Sequence, residues 1–87
     1  MCKVVKWSDK ALSDRMTIFE SNSKVSGIPY AKAEDRKIND AIESIKRNNF
    51  IGRNDLDPRG YLYKLPKRYK VLYRLGEDVV FIERVFY

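Results

Sequence analysis

Tyr69-Lys70-Val71-Leu72-Tyr73-Arg74-Leu75-Gly76-Glu77-Asp78-Val79-Val80-Phe81-Ile82-Glu83-Arg84-Val85-Phe86-Tyr87 holds two β-branched and aromatic runs around a short Gly-Glu-Asp connection. That pattern reads as an antiparallel hairpin. In the first run, Tyr69, Val71, Tyr73 and Leu75 share one face, and Lys70, Leu72 and Arg74 share the other. A one-residue slip would bury Lys70 and Arg74 together, so the apolar face is the one expected against a core. The second run leaves its parity open. If Val80, Ile82 and Phe86 face inward, so does Arg84, which would then pair with an acid such as Glu20 or Glu43. With the opposite parity Glu83 turns inward, and the exposure of Tyr87 depends on the same choice.

Upstream, Tyr61 to Leu65 alternates in the same way, with Pro66-Lys67 as the turn into the hairpin. Three consecutive strands with short turns make a meander. Residues 51–60 are turn-rich, and Asp55 and Asp57 there are turn formers rather than a metal pair. The N-terminal half reads differently. Residues 2–7 have strand composition and end in Trp7, a core candidate. Ser8-Asp9 is a helix start. Leu12, Met16 and Phe19 at i, i+4 and i+7 predict an amphipathic helix over 9–20. A polar loop is expected from Ser21 to Pro29. A second helix is expected over 31–48, with Ile38, Ala41, Ile42 and Ile45 as its apolar stripe. The fold class is therefore α+β, in the order β-α-α-β-β-β. A two-helix hairpin covers one face of a curved, mainly antiparallel sheet, in one domain spanning 1–87.

The whole chain has 87 residues, 44% of them apolar and eleven aromatic, which suits one small globular domain. It has no His and one Cys. A Ser-His-Asp triad, a Cys-His pair, a His-ligated zinc and an internal disulfide are all excluded. No cofactor is expected. Cys2 and the absence of a long apolar run imply a soluble, cytoplasmic protein that is not exported. The net charge of +6 is unevenly spread. Residues 1–45 carry 8 basic and 7 acidic groups, and residues 46–87 carry 10 and 5. From Arg59 to Arg74 there are six basic residues and no acid. A one-signed field of that kind attracts polyanions. The uncovered face of the sheet, bearing Lys70 and Arg74, is the expected receptor.

The closing hairpin resembles that of the RelE/ParE superfamily, the toxins of bacterial type II toxin–antitoxin pairs, often called plasmid stabilisation proteins. Its members show a pattern close to Tyr-Arg-Val-Leu-Tyr, a turn, an apolar strand and Arg-Val-x-His. Tyr69 to Tyr73 and Arg84 to Tyr87 match it, with Lys70 in place of the Arg and Tyr87 in place of the His. Trp7-Ser8-Asp9-Lys10-Ala11, Ile28-Pro29-Tyr30-Ala31 and Asn49-Phe50-Ile51-Gly52-Arg53 are similar to ParE-like members. The resemblance implies one of two activities. RelE-like toxins cleave messenger RNA in the ribosomal A site, and ParE-like toxins inhibit DNA gyrase without cleaving anything. Either is neutralised by an antitoxin whose extended arm wraps the toxin, and association is expected mainly through that complex.

The ribonuclease reading is the first expectation. It assigns Lys70, Arg84 and Tyr87 as catalytic, and Arg59, Lys64, Lys67, Arg68 and Arg74 as RNA-binding. Lys70 keeps the charge of the usual Arg but loses its bidentate fork. Tyr87 needs neighbouring cations to act as a base at neutral pH. Both departures favour a ParE-like or an altered mechanism. A third reading is a passive nucleic-acid binder in which Tyr61 and Tyr63 stack bases, although alternating strand aromatics are more often core.

Overall fold

The computed structural model describes residues 3–53, 60–65 and 69–87. The expected turn at Pro66-Lys67, the Asp55/Asp57 pair and the candidates Arg59, Lys67 and Arg68 lie outside the described residues. The elements are β1 (Val4–Trp7), α1 (Asp9–Ser26), α2 (Ile28–Arg47), β2 (Tyr61–Lys64), β3 (Lys70–Leu75) and β4 (Val79–Phe86). The sheet order is β1-β4-β3-β2, with β1 parallel to β4 and the other pairs antiparallel. The expected α+β architecture is thus present, as is the meander.

The first helix departs from expectation in length and in rotation. It starts at Ser8, whose Oγ accepts the Ala11 N–H at 3.0 Å and whose hydroxyl donates to Glu83 O at 2.7 Å. This cap fastens the start of α1 to β4. The helix runs to Ser26, through the stretch expected as a loop, because residues 21–26 contain neither Gly nor Pro to stop it. Gly27 alone separates the helices, at φ 90°, a conformation costly for any residue with a Cβ. Pro29 sits in the first turn of α2, where its missing N–H costs nothing. The buried residues of α1 are Ala11, Ile18 and Asn22. Leu12 and Met16, expected in the core, are 45% and 63% exposed. Leu12 lies one residue, about 100° of helix rotation, from Ala11. The small Ala11 side chain takes the sheet-facing position.

The second helix buries the expected stripe of Ile38, Ala41, Ile42 and Ile45, and adds Ala31 and Glu34. Opposite it, Tyr69, Val71 and Tyr73 are buried as the alternation requires, with Val80, Ile82 and Val85 from β4. Trp7, Tyr61 and Tyr63 pack at the margin of this core.

The parity of β4 follows neither alternative. Leu72 is paired with Arg84 but Tyr73 with Ile82, so Glu83 is an extra residue on β4. This bulge reverses the alternation partway along the strand. Val80 and Ile82 point inward before it and Val85 after it, while Phe86 turns outward. Arg84 is consequently not turned into the core toward Glu20 or Glu43. It pairs with Asp14 of α1, and Glu83 is bound by Arg74.

Candidate functional site: the uncovered face of the sheet

The strand register sorts the outward side chains into rows. One row crosses Lys64, Lys70 and Phe86; the next crosses Leu62, Leu72 and Arg84. A third holds Arg74, Phe81 and Lys6. The face is therefore cationic at its ends and leucine-lined in the middle.

Two of its arginines are already engaged. Arg74 Nε donates to Glu83 Oε1 at 2.6 Å, and its guanidinium lies 5.6 Å from the Phe81 ring centre. Arg84 donates to both carboxylate oxygens of Asp14, at 2.7 and 3.0 Å, and lies 5.3 Å from the Phe86 ring centre. Asp14 also accepts the Val85 N–H at 3.0 Å. The Arg84 hydrogen bonds hold the Asp14 carboxyl below its ordinary range against an opposing effect of burial, and Asp14 in turn raises the Arg84 pKa. Lys64 and Lys70 stand directly opposite each other, both exposed, and among the described residues neither has an ion-pair partner.

Of the three candidates for catalysis, Lys70 and Arg84 lie in adjacent rows of the uncovered face and Tyr87 does not. Lys70 points out of the uncovered face. Arg84 is held at the strand edge by α1. Tyr87 is 64% exposed but packs edge-on against buried Tyr69, 5.7 Å between ring centres, on the helix side of the sheet. Of the nucleic-acid candidates, the described Lys64 and Arg74 lie on the uncovered face, in different rows.

A buried polar chain is not legible in the sequence. Tyr69 donates to Glu34 Oε1 at 3.0 Å and accepts from Asn22 Nδ2 at 3.1 Å, and Lys37 reaches Glu34 Oε2 at 2.6 Å. By position Glu34 reads as an acid near a helix start, yet it is 4% exposed. Its i+3 spacing from Lys37 is the one signal the sequence offers.

On the opposite side of the molecule, Leu12, Met16 and Phe19 line a shallow groove of about 350 Å³ with Arg15 and Asp35. Arg15 binds Asp35 through Nε and Nη2 at 2.7 and 2.9 Å, tying α1 to α2, and that hydrogen bonding raises its pKa. Lys32, Arg36 and Asn39 form a polar shelf beside the same pair.

Among the described residues no helix is long and apolar enough to cross a membrane. No curated protein matches the chain. The structure superposes on the chromosomal ParDE toxin–antitoxin system of P. aeruginosa with a TM-score of 0.86 at 19% identity, covering 98% of this chain and 95% of that one. It is also similar to the RelBE2 toxin–antitoxin complex of Mycobacterium tuberculosis, with a TM-score of 0.69 at 18% identity over 100% and 99% of the two chains. The YoeB dimer of Staphylococcus aureus gives 0.70 at 18% identity, over 100% and 98%. At these identities the likeness establishes the fold. The sequence itself matches the family model for the ParE toxin of the type II toxin–antitoxin system parDE over residues 5–87. The chain belongs to the ParE toxin family of type II toxin–antitoxin systems.

Proposed function

We propose that this toxin arrests growth as a ParE-like, non-enzymatic inhibitor of DNA gyrase, with residues 1–87 acting as one toxin domain in the cytoplasm. The observation that carries this reading is that Tyr87 packs on the helix side of the sheet, away from the face that bears Lys70, while Arg84 is engaged by Asp14. Phosphodiester cleavage needs a base, a charge-stabilising cation and an acid converging on one phosphate. Here the bidentate Arg84–Asp14 pair occupies the guanidinium that would clamp it. Inhibition by binding needs none of these groups to converge. The family match over residues 5–87 supports the same reading.

Messenger RNA cleavage on the ribosome is the second reading. It is favoured by the opposed Lys64 and Lys70, which are available to a phosphate backbone. Purified toxin added to a gyrase supercoiling assay, and separately to an in-vitro translation reaction, separates the two. Loss of supercoiling with intact messenger supports gyrase inhibition. Messenger cut during translation, with supercoiling unaffected, overturns it.

The partner of this reading is an antitoxin whose arm covers the groove on the helical hairpin. The exposed Leu12 and Met16, with the half-buried Phe19, offer an apolar seam, and the adjoining Lys32 and Arg36 favour an acidic flank on the occupant.

A further inference from the structure

We propose that the uncovered face of the sheet is the surface this toxin applies to gyrase, and that it takes an acidic helix of that protein with an apolar stripe. This assignment rests on the gyrase reading and names the surface and the partner chemistry that the reading leaves open.

The first support is the apolar centre of the face. Leu62 and Leu72 stand directly opposite each other on β2 and β3, both half-buried. Phe86 and Phe81 flank them on β4, one row to either side. Phe86 is 37% exposed, although it ends an otherwise well-packed strand. Solvated apolar side chains at the centre with charges around them match a protein-binding surface, where anchors sit centrally and polar groups form the rim. Neither phenylalanine is a bare platform for a base. The Arg84 guanidinium lies 5.3 Å from the Phe86 ring centre, and that of Arg74 lies 5.6 Å from the Phe81 ring centre.

The second support is the placement of the charge that stays unneutralised. Arg74 and Arg84, whose planar forks suit phosphate best, are bound by Glu83 and Asp14. Lys64, Lys70 and Lys6 have no ion-pair partner among the described residues. Lys64 and Lys70 stand at one end of the face, and Lys6 stands at the other, beside Phe81. Lys70 and Lys6 are separated by two strand spacings and four residues along the sheet. That is a diagonal of roughly 17 Å, which an α-helix covers in about eleven residues, or three turns. A helix whose apolar stripe lies on the leucines, with a carboxylate near each end, satisfies both features. Helices cover the inner face of this sheet in the same manner. The carboxylates also relieve the repulsion between Lys64 and Lys70, which sit directly opposite on neighbouring strands.

The test measures toxin binding to purified DNA gyrase, without DNA, by surface plasmon resonance, and inhibition of supercoiling in parallel. Leu72→Asp should weaken both by about tenfold or more. Lys64→Glu with Lys70→Glu leaves the apolar centre intact and should do the same, and added salt should weaken the wild-type complex more than that of the variant. Lys24→Gln, in the last turn of α1, removes a charge from the other layer and should match wild type. Circular dichroism melts verify folding, and the lysine pair decides the outcome if Leu72→Asp melts early. Wild-type inhibition equalled by both face variants overturns the proposal and leaves the gyrase reading standing. A wild type that neither binds nor inhibits gyrase overturns the reading and the proposal with it. Binding that appears only when DNA is added, and falls in the variants in step with their affinity for a labelled oligonucleotide, makes nucleic acid the occupant and overturns the proposal.

Discussion

Asp14 on α1 receives both nitrogens that Arg84 can extend to it and the N–H of Val85, so one carboxylate ties the end of β4 to the first helix. It caps the strand beyond the last residues paired with β1, where the ladder would otherwise present an unpaired edge.

This arrangement makes the fold acid-sensitive. The folded Asp14 carboxyl titrates below its ordinary value, chiefly through the Arg84 hydrogen bonds. A depressed carboxylate contributes stability that is complete above the unfolded pKa of about 3.9 and is lost as pH falls through the lower folded value. Asp14→Asn should lower Tm at neutral pH and flatten the acid limb of a Tm-against-pH curve. An unchanged acid limb would remove Asp14 from this role. Because the pair is partly exposed, added salt should reduce the effect.

Most of the fold is legible in the sequence because its signals are local. The alternation of Tyr69 to Leu75 and the stripe from Ile38 to Ile45 each assign an inward face without reference to the rest of the chain. What escapes depends on long-range pairing. The bulge at Glu83 is a property of the pairing of β4 with β3, and no period-two count contains that information. The face of α1 is missed for a related reason. Leu12 and Met16 form a valid helical stripe, but the sheet accepts the small Ala11 at the contact and leaves the larger side chains for another surface. The bulge also decides the candidate site, since it leaves Arg84 and Phe86 on the uncovered face and, by period-two alternation, Tyr87 on the other.

Tyr69 should be sensitive out of proportion to its hydroxyl. Tyr69→Phe preserves ring packing but takes one partner each from Asn22 and Glu34, both nearly fully buried. Leaving buried polar groups short of a partner costs about 1–3 kcal/mol. For a chain of this size that corresponds to a Tm decrease of roughly 4–8 °C per kcal/mol, measurable by calorimetry. A variant as stable as wild type would mean that the remaining groups rearrange and satisfy one another.

Gly52 is constrained by contact rather than by torsion. A Cβ there would approach Tyr73 Cε1 and Oη at 3.0 Å and Tyr61 Cβ at 3.1 Å. The Tyr73 ring cannot retreat easily, because its hydroxyl donates to Asn49 O at 2.8 Å and accepts the Gly52 N–H at 3.0 Å, and its other face stacks on Tyr61. Gly52→Ala should therefore cost about 1–3 kcal/mol as overpacking in urea unfolding. Burial also pushes the Tyr73 hydroxyl pKa up. Phenolate absorbance should show one tyrosine ionising above the ordinary range until the fold is lost.

Met16 separates toxicity from neutralisation. Its side chain is 63% exposed on α1, far from the sheet face, so Met16→Lys should leave Tm nearly unchanged. If the antitoxin arm covers the groove formed with Leu12 and Phe19, a charge there removes an apolar anchor and adds a desolvation cost. Losses of about 2 kcal/mol or more are usual at such anchors, equivalent to about thirtyfold in affinity. Cells expressing the variant should stop growing as wild-type expressers do, but co-expressed antitoxin should fail to rescue them, and calorimetric titration should show the weakened complex. Asp35→Ala, which releases Arg15 at the groove margin, should produce a smaller defect of the same kind with some loss of stability. Full rescue of Met16→Lys by the antitoxin would place the arm elsewhere on the toxin, and loss of toxicity in the variant would place the target-binding surface on the helical hairpin instead.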